Sequence, residues 1–255
     1  PIFSAAPDPE LLAQGRFSDA NTYPKIVTVL DLSDTEDPKV LVEKWMSRFL
    51  PALRKARQGL LTPMHRVIYD AEHNYLLLLS ERVENARFGP HLAQHELELG
   101  EAFALACLVS KQVYQLHQQG LAHNNVCAEA LLLKGNRSTR RVYPAMVGIV
   151  APSEDPHDMR EDARRLAGLL RGWISDAAVQ SADPIVCSRI EVIQSDLKAI
   201  EEDEKATSTV TRVIELCEDG LSALNFNFGV LRENGGDLEA YALLLVGHSL
   251  YGRLW

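Results

Sequence analysis

Hydrophobic positions change their period about a third of the way along the chain. Up to residue 80, short β-branched runs alternate with one helical stretch; beyond about residue 86 a period near 3.6 dominates. The run Ile26-Val27-Thr28-Val29-Leu30 predicts a strand. Asp37 as cap and Pro38 in the first turn open a helix over 37–57, on which Leu41, Trp45, Phe49 and Leu53 repeat at helical spacing; Pro51 is expected to kink it or end it early. Strands over 65–69 and 75–79, joined by the turn-rich residues 70–74, predict a hairpin. Residues 1–24, rich in Pro, Asp, Ser and Asn, read as an extended, weakly structured lead-in.

In the second part, residues 101–118 carry Phe103, Cys107, Val113 and Leu116 on one face and stop at Gly120, which suits a helix C-terminus. Residues 130–133 and 142–150 predict a strand pair around a turn at 134–137. Three more helices follow from Leu166, Leu169, Leu170 and Trp173, from Ile190, Ile193, Leu197 and Ile200, and from Val210, Val213, Ile214 and Cys217. A last amphipathic helix is expected from Asp237 towards Trp255.

The composition narrows the function classes. With 46% hydrophobic and 24% charged residues in 255, the chain has ordinary globular composition. A formal charge of −9 repels phosphate backbones, which argues against nucleic acid as partner. Cys107, Cys127, Cys187 and Cys217 are widely spaced, so reduced thiols and no zinc are expected, in a cytoplasmic setting. No secretory leader or spanning segment is expected either. His91 and His95 have metal-ligand spacing without an accompanying carboxylate pattern and read as exposed polar residues. Cys127 lacks a His and Asp arrangement that would make it a nucleophile.

The stretch Leu116-His117-Gln118-Gln119-Gly120-Leu121-Ala122-His123-Asn124-Asn125 resembles the approach to the catalytic loop of a Hanks-type protein kinase, whose signature is His-Arg-Asp with an Asn five residues after the Asp. Around this anchor, Ile26 to Asp31 resembles the strand bearing the ATP-binding Lys, and residues 37–57 resemble helix αC. Residues 80–85 resemble the hinge, 145–149 the Asp-Phe-Gly region and 161–170 the start of αF. The likeness spans roughly residues 10 to 225 and rests on order and spacing, since no single motif is intact. It implies an α+β, bilobal fold of a bacterial-looking kinase relative. Residues 1–80 would be a β-rich lobe, 81–236 a helical lobe, and 237–255 a helix packed on that lobe or used for docking.

The resemblance also places the chemistry, and the chemistry is gone. Phosphoryl transfer needs a cation on the phosphates, carboxylates for Mg²⁺, a carboxylate base and a glycine loop. The Lys position is Thr28, the base is Asn125, the metal-binding Asn is Ala130 and the Asp of Asp-Phe-Gly is Met146. Gly15 is the only glycine before residue 59, so no phosphate loop precedes the first strand, and no acidic residue lies between Glu43 and Asp70 to partner a Lys. Retained are residues that in the family support the fold: His123, Gly148 and Asp162.

The expectation is a catalytically inactive pseudokinase with neither cofactor nor metal, acting as a scaffolding or regulatory module that binds another protein. Candidate contacts are the basic turn Arg137, Arg140 and Arg141, and the apolar tail residues Leu238, Tyr241, Leu245 and Trp255. Two alternatives stand beside it. One is a metal-independent nucleotide-sensing switch; the other is an enzyme with relocated chemistry, using Glu129 or Asp158.

Overall fold

A computed structural model describes residues 2–5, 25–56, 64–81, 86–90, 97–136, 141–146, 149, 152–174, 179, 182–205 and 207–224. The architecture is α+β, and the chain divides into two compact units, Pro1–Glu84 and Asn85–Trp255.

In the first unit, a four-stranded antiparallel sheet is ordered β1-β2-β4-β3, from β1 (Ile2–Ala5), β2 (Lys25–Asp31), β3 (Met64–Asp70) and β4 (Tyr75–Glu81). Alternation sets which face is inside: Leu76 and Leu78 are buried, while Leu77 and Leu79 are half-buried. Thr28 and Val67, both buried, stand opposite Leu78 from either side. The lead-in expectation is corrected at residues 2–5, which pair with β2 from Ile2 opposite Thr28 to Ala5 opposite Lys25. Four residues carry too little alternation to announce a strand; the open edge of β2 supplies the partner.

The helix begins as its residues require. The Asp37 carboxylate accepts from the Lys39 and Val40 amides at 3.1 and 3.2 Å, ahead of Pro38. It runs as α1 (Pro38–Lys44), a π-helical turn (Trp45–Phe49) and α2 (Leu50–Ala56). Pro51 therefore does not end it. Proline lacks an N–H and its ring crowds the carbonyl four residues back. The widened turn just before it, where the Leu50 amide reaches five residues back to the Trp45 carbonyl, takes up that misfit. Trp45 and Phe49, edge-to-face at 5.4 Å, are buried and anchor the helix.

The second unit holds a three-stranded antiparallel sheet, β5-β6-β7, from β5 (Ala86–Phe88), β6 (Leu131–Asn136) and β7 (Arg141–Met146). Its helices are α3 (Leu99–His117), α4 (Pro156–Trp173), α5 (Pro184–Glu201) and α6 (Val210–Ala223). Two expectations about the strand pair are corrected. The turn does not begin at 134, because Lys134, Gly135 and Asn136 stay in register with Tyr143, Val142 and Arg141; and the strand does not run through to 150, because Ile149 stands outside it. Strand β5, which the sequence pattern hid, pairs with β6 from Ala86 opposite Lys134 to Phe88 opposite Leu132.

Helix α3 was expected to bury one face, yet residues 101–110 are all buried. The reason is its position: α4, α6 and β7 all pack against it. Where α6 crosses it, Gly220 faces Phe103 so closely that a Cβ would sit 2.5 Å from the Phe103 ring. The ring is wholly buried and cannot swing away. Among the described residues no helix is long and apolar enough to cross a membrane.

Gly220→Ala should therefore lower stability by about 1–3 kcal/mol through overpacking. In urea denaturation its midpoint should fall, and adding Phe103→Leu should return part of the loss; additive losses would show that the two residues do not press on each other.

Candidate functional site

The loop following α3 is built from its cap outward. Gly120, at φ 75°, takes the left-handed conformation that lets the helix stop. The Gly120 amide donates to the His117 carbonyl at 2.8 Å and the Leu121 amide to the Leu116 carbonyl at 3.3 Å, while Leu116 and Leu121 are both buried. The chain then passes Ala122, whose amide donates to the Ser153 carbonyl at 2.7 Å. It reaches His123 and Asn124, the latter also left-handed at φ 60°.

Asp162, on α4 and wholly buried, holds this loop. Its carboxylate accepts from the His123 amide at 2.6 Å and from the Asn124 amide at 2.9 Å. It also accepts from His117 Nε2 at 2.9 Å; a carboxylate can only accept, so that nitrogen carries the proton. One turn on, Arg165 donates to the Asn124 carbonyl at 2.9 Å. Each hydrogen bond to a buried carboxylate contributes about 1.5–3 kcal/mol, and an orphaned amide here would cost a similar amount.

The His123 ring lies wholly in the core, and neither ring nitrogen has a hydrogen-bond partner among the described residues. Burial pushes its pKa down from 6.5 to about 4; the Asp162 charge opposes this, and His117 and Arg165 add to it.

The positions singled out by sequence fall in both units. Thr28 stands in the first, on β2; Asn125, Ala130 and Met146 stand in the second. Ala130 closes a 3-10 turn (Ala128–Ala130) leading into β6, and the next residue, Leu131, pairs with Met146, so Ala130 and Met146 share one end of the hairpin. Buried Gln112 of α3 secures that end: its Oε1 accepts from the Met146 amide and its Nε2 donates to the Pro144 carbonyl, both at 2.9 Å. Asn125 accepts from the Cys127 thiol at 3.7 Å. Burial pushes that thiol up, and Glu129 adds to the shift, so the sulfur keeps its proton.

A hydroxyl, an amide, a methyl and a thioether offer no carboxylate to a divalent cation. Among the described residues no group of three or more His, Cys, Asp or Glu is placed to hold a metal ion. Glu129 lies in the 3-10 turn and Asp158 in the first turn of α4. Of the candidate contact residues, Arg141 opens β7, while Arg137, Arg140, Leu238, Tyr241, Leu245 and Trp255 lie outside the described residues, as do Gly148, His91 and His95.

Beside the loop, an open groove of about 350 Å³ runs between Val126, Cys127 and the face of α4 carrying Arg164, Arg165 and Leu169. Glu201 of α5 closes it: Arg164 donates to the Glu201 carbonyl at 3.1 and 3.2 Å, and Arg171 pairs with the Glu201 carboxylate. A cation on the last carbonyls of α5 is favourable for the helix itself. Sequence reasoning missed this junction, because Arg164 and Glu201 stand 37 residues apart and nothing local links them.

No family model matches the chain, and no curated protein matches it.

Asp162→Asn, which swaps one acceptor oxygen for an N–H aimed at a backbone donor, should destabilise the second unit by about 3 kcal/mol. Amide exchange should then locate the loss at residues 123 and 124; undiminished protection there would mean that the carboxylate does not hold the loop.

Proposed function

We propose that the chain is a non-catalytic pseudokinase domain, a degenerate relative of the Hanks-type protein kinases, working by binding another protein in a cytoplasmic setting. One observation carries the reading. The His123 and Asn124 amides are bound by a carboxylate 39 and 38 residues downstream, the kind of brace the resemblance implies for Asp162. The side chains on and around this braced loop are ones that cannot transfer a phosphoryl group.

An amide at Asn125 has negligible basicity, and neither the Ala130 methyl nor the Met146 thioether binds a hard cation. Their loss removes both the metal and the proton acceptor that the reaction depends on. A loop that has the brace without the chemistry suits a surface used for recognition. The basic residues Arg137, Arg140 and Arg141 and the segment 237–255 are the sequence-based candidates for that surface.

Purified protein in Mg-ATP should transfer no phosphate to itself or to a generic substrate. Millimolar ATP should leave its melting temperature unchanged, whereas ligand at a hundred times its Kd would add about 2.7 kcal/mol. Transfer that stops on Asn125→Ala would overturn the proposal. A partner retained by the intact domain should be lost when Arg137, Arg140 and Arg141 are all changed to Glu, or when residues 237–255 are removed, in protein that melts as before.

A further inference from the structure

The pairing of His123 with Asp162 has a consequence independent of any kinase reading. We infer that the loop around His123 is an acid-released latch, in which protonation of the buried His123 ring frees the two loop amides from Asp162.

The argument starts from what each group can accept. The Asp162 carboxylate has about four acceptor sites, and three are taken, by the His123 amide, the Asn124 amide and His117 Nε2. The neutral His123 ring sits in the core, and neither nitrogen has a partner among the described residues. A proton added to that ring turns it into a buried cation that must find a counter-charge or leave. Asp162 is the carboxylate that acts on it. Neither ring nitrogen is within hydrogen-bond reach of it, so the carboxylate meets the ring only by moving, and moving takes it off the amides that it holds at 2.6 and 2.9 Å. Expelling the ring instead means opening the loop around it, because the side chain is wholly enclosed. Either route opens the latch.

The charges facing the ring come from two helices. On α4, Asp162 favours the charged ring and Arg165 disfavours it; on α3, His117 disfavours it. Burial outweighs all three and holds the folded value near 4, well below the 6.5 of a free imidazole. The sign follows. Above about pH 6.5 the open and closed states bind the same number of protons at this site, and the latch is at full strength. As pH falls from 6.5 towards 4 the open state takes up a proton that the closed state refuses, so opening is favoured by up to tenfold per unit. Below about 4 the dependence levels off.

Hydrogen exchange at the His123 and Asn124 amides, expressed as protection factors so that intrinsic rates cancel, tests the latch. Between pH 7 and pH 5 protection should fall about twentyfold. The fall should persist in His117→Gln, whose amide can still donate to Asp162, and vanish in His123→Leu. Protection that stays level in the native protein, or a fall removed by His117→Gln, would overturn the inference. Should His123→Leu fail to fold, the imidazole resonances of the native protein decide: a His123 ring that titrates near 6.5 sinks the idea, and one still neutral at pH 5 supports it.

Discussion

A single buried carboxylate ties the end of one helix of the second unit and the loop after it to another helix some 40 residues further on. Asp162 stands on α4, takes a proton donor from the last turn of α3 and receives two backbone amides of the loop between them. A charge withdrawn from water is costly unless hydrogen-bonded, and here the protein satisfies it with donors that would otherwise be orphans themselves. The loop needs those bonds because it leaves a helix through a left-handed Gly120 and turns again through a left-handed Asn124. Neither turn leaves a regular ladder to satisfy its amides.

A second polar clamp works on the same logic at the other end of the loop. Gln112 is enclosed within α3, and its two amide atoms answer one acceptor and one donor of β7. The hairpin end that carries Ala130 and Met146 is thus fixed by a side chain from the central helix. Neither Ala130 nor Met146 offers an acid, a base or a ligand for a hard cation at that end. That is why the proposed role is recognition.

Much of the fold was legible in local pattern. Asp37 with Pro38, the stop at Gly120, and the buried row Ile190, Ile193, Leu197 and Ile200 all lie where spacing and cap chemistry put them. Features that depend on a neighbour were not legible. Ile2–Ala5 becomes a strand because β2 offers an edge, and β6 runs through Lys134 and Gly135 because β7 continues opposite them. Pro51, a breaker by its own chemistry, stays inside a helix whose preceding turn widens and whose Trp45 and Phe49 are packed away.

By itself, then, the sequence determined most of the helices and strands, the Asp37 cap, the stop at Gly120 and the chemical poverty of Thr28, Asn125, Ala130 and Met146, since these follow from residue type and from spacings within a few turns. Tertiary structure alone decided that residues 101–110 of α3 would be buried throughout, that Gln112 would clamp β7 and that Arg164 would meet the end of α5. It also put the His123 ring in the core with no hydrogen-bond partner among the described residues. Those outcomes join residues from about 30 to more than 100 positions apart, and the free energy linking them comes from burial and desolvation. Both exist only once the elements have packed.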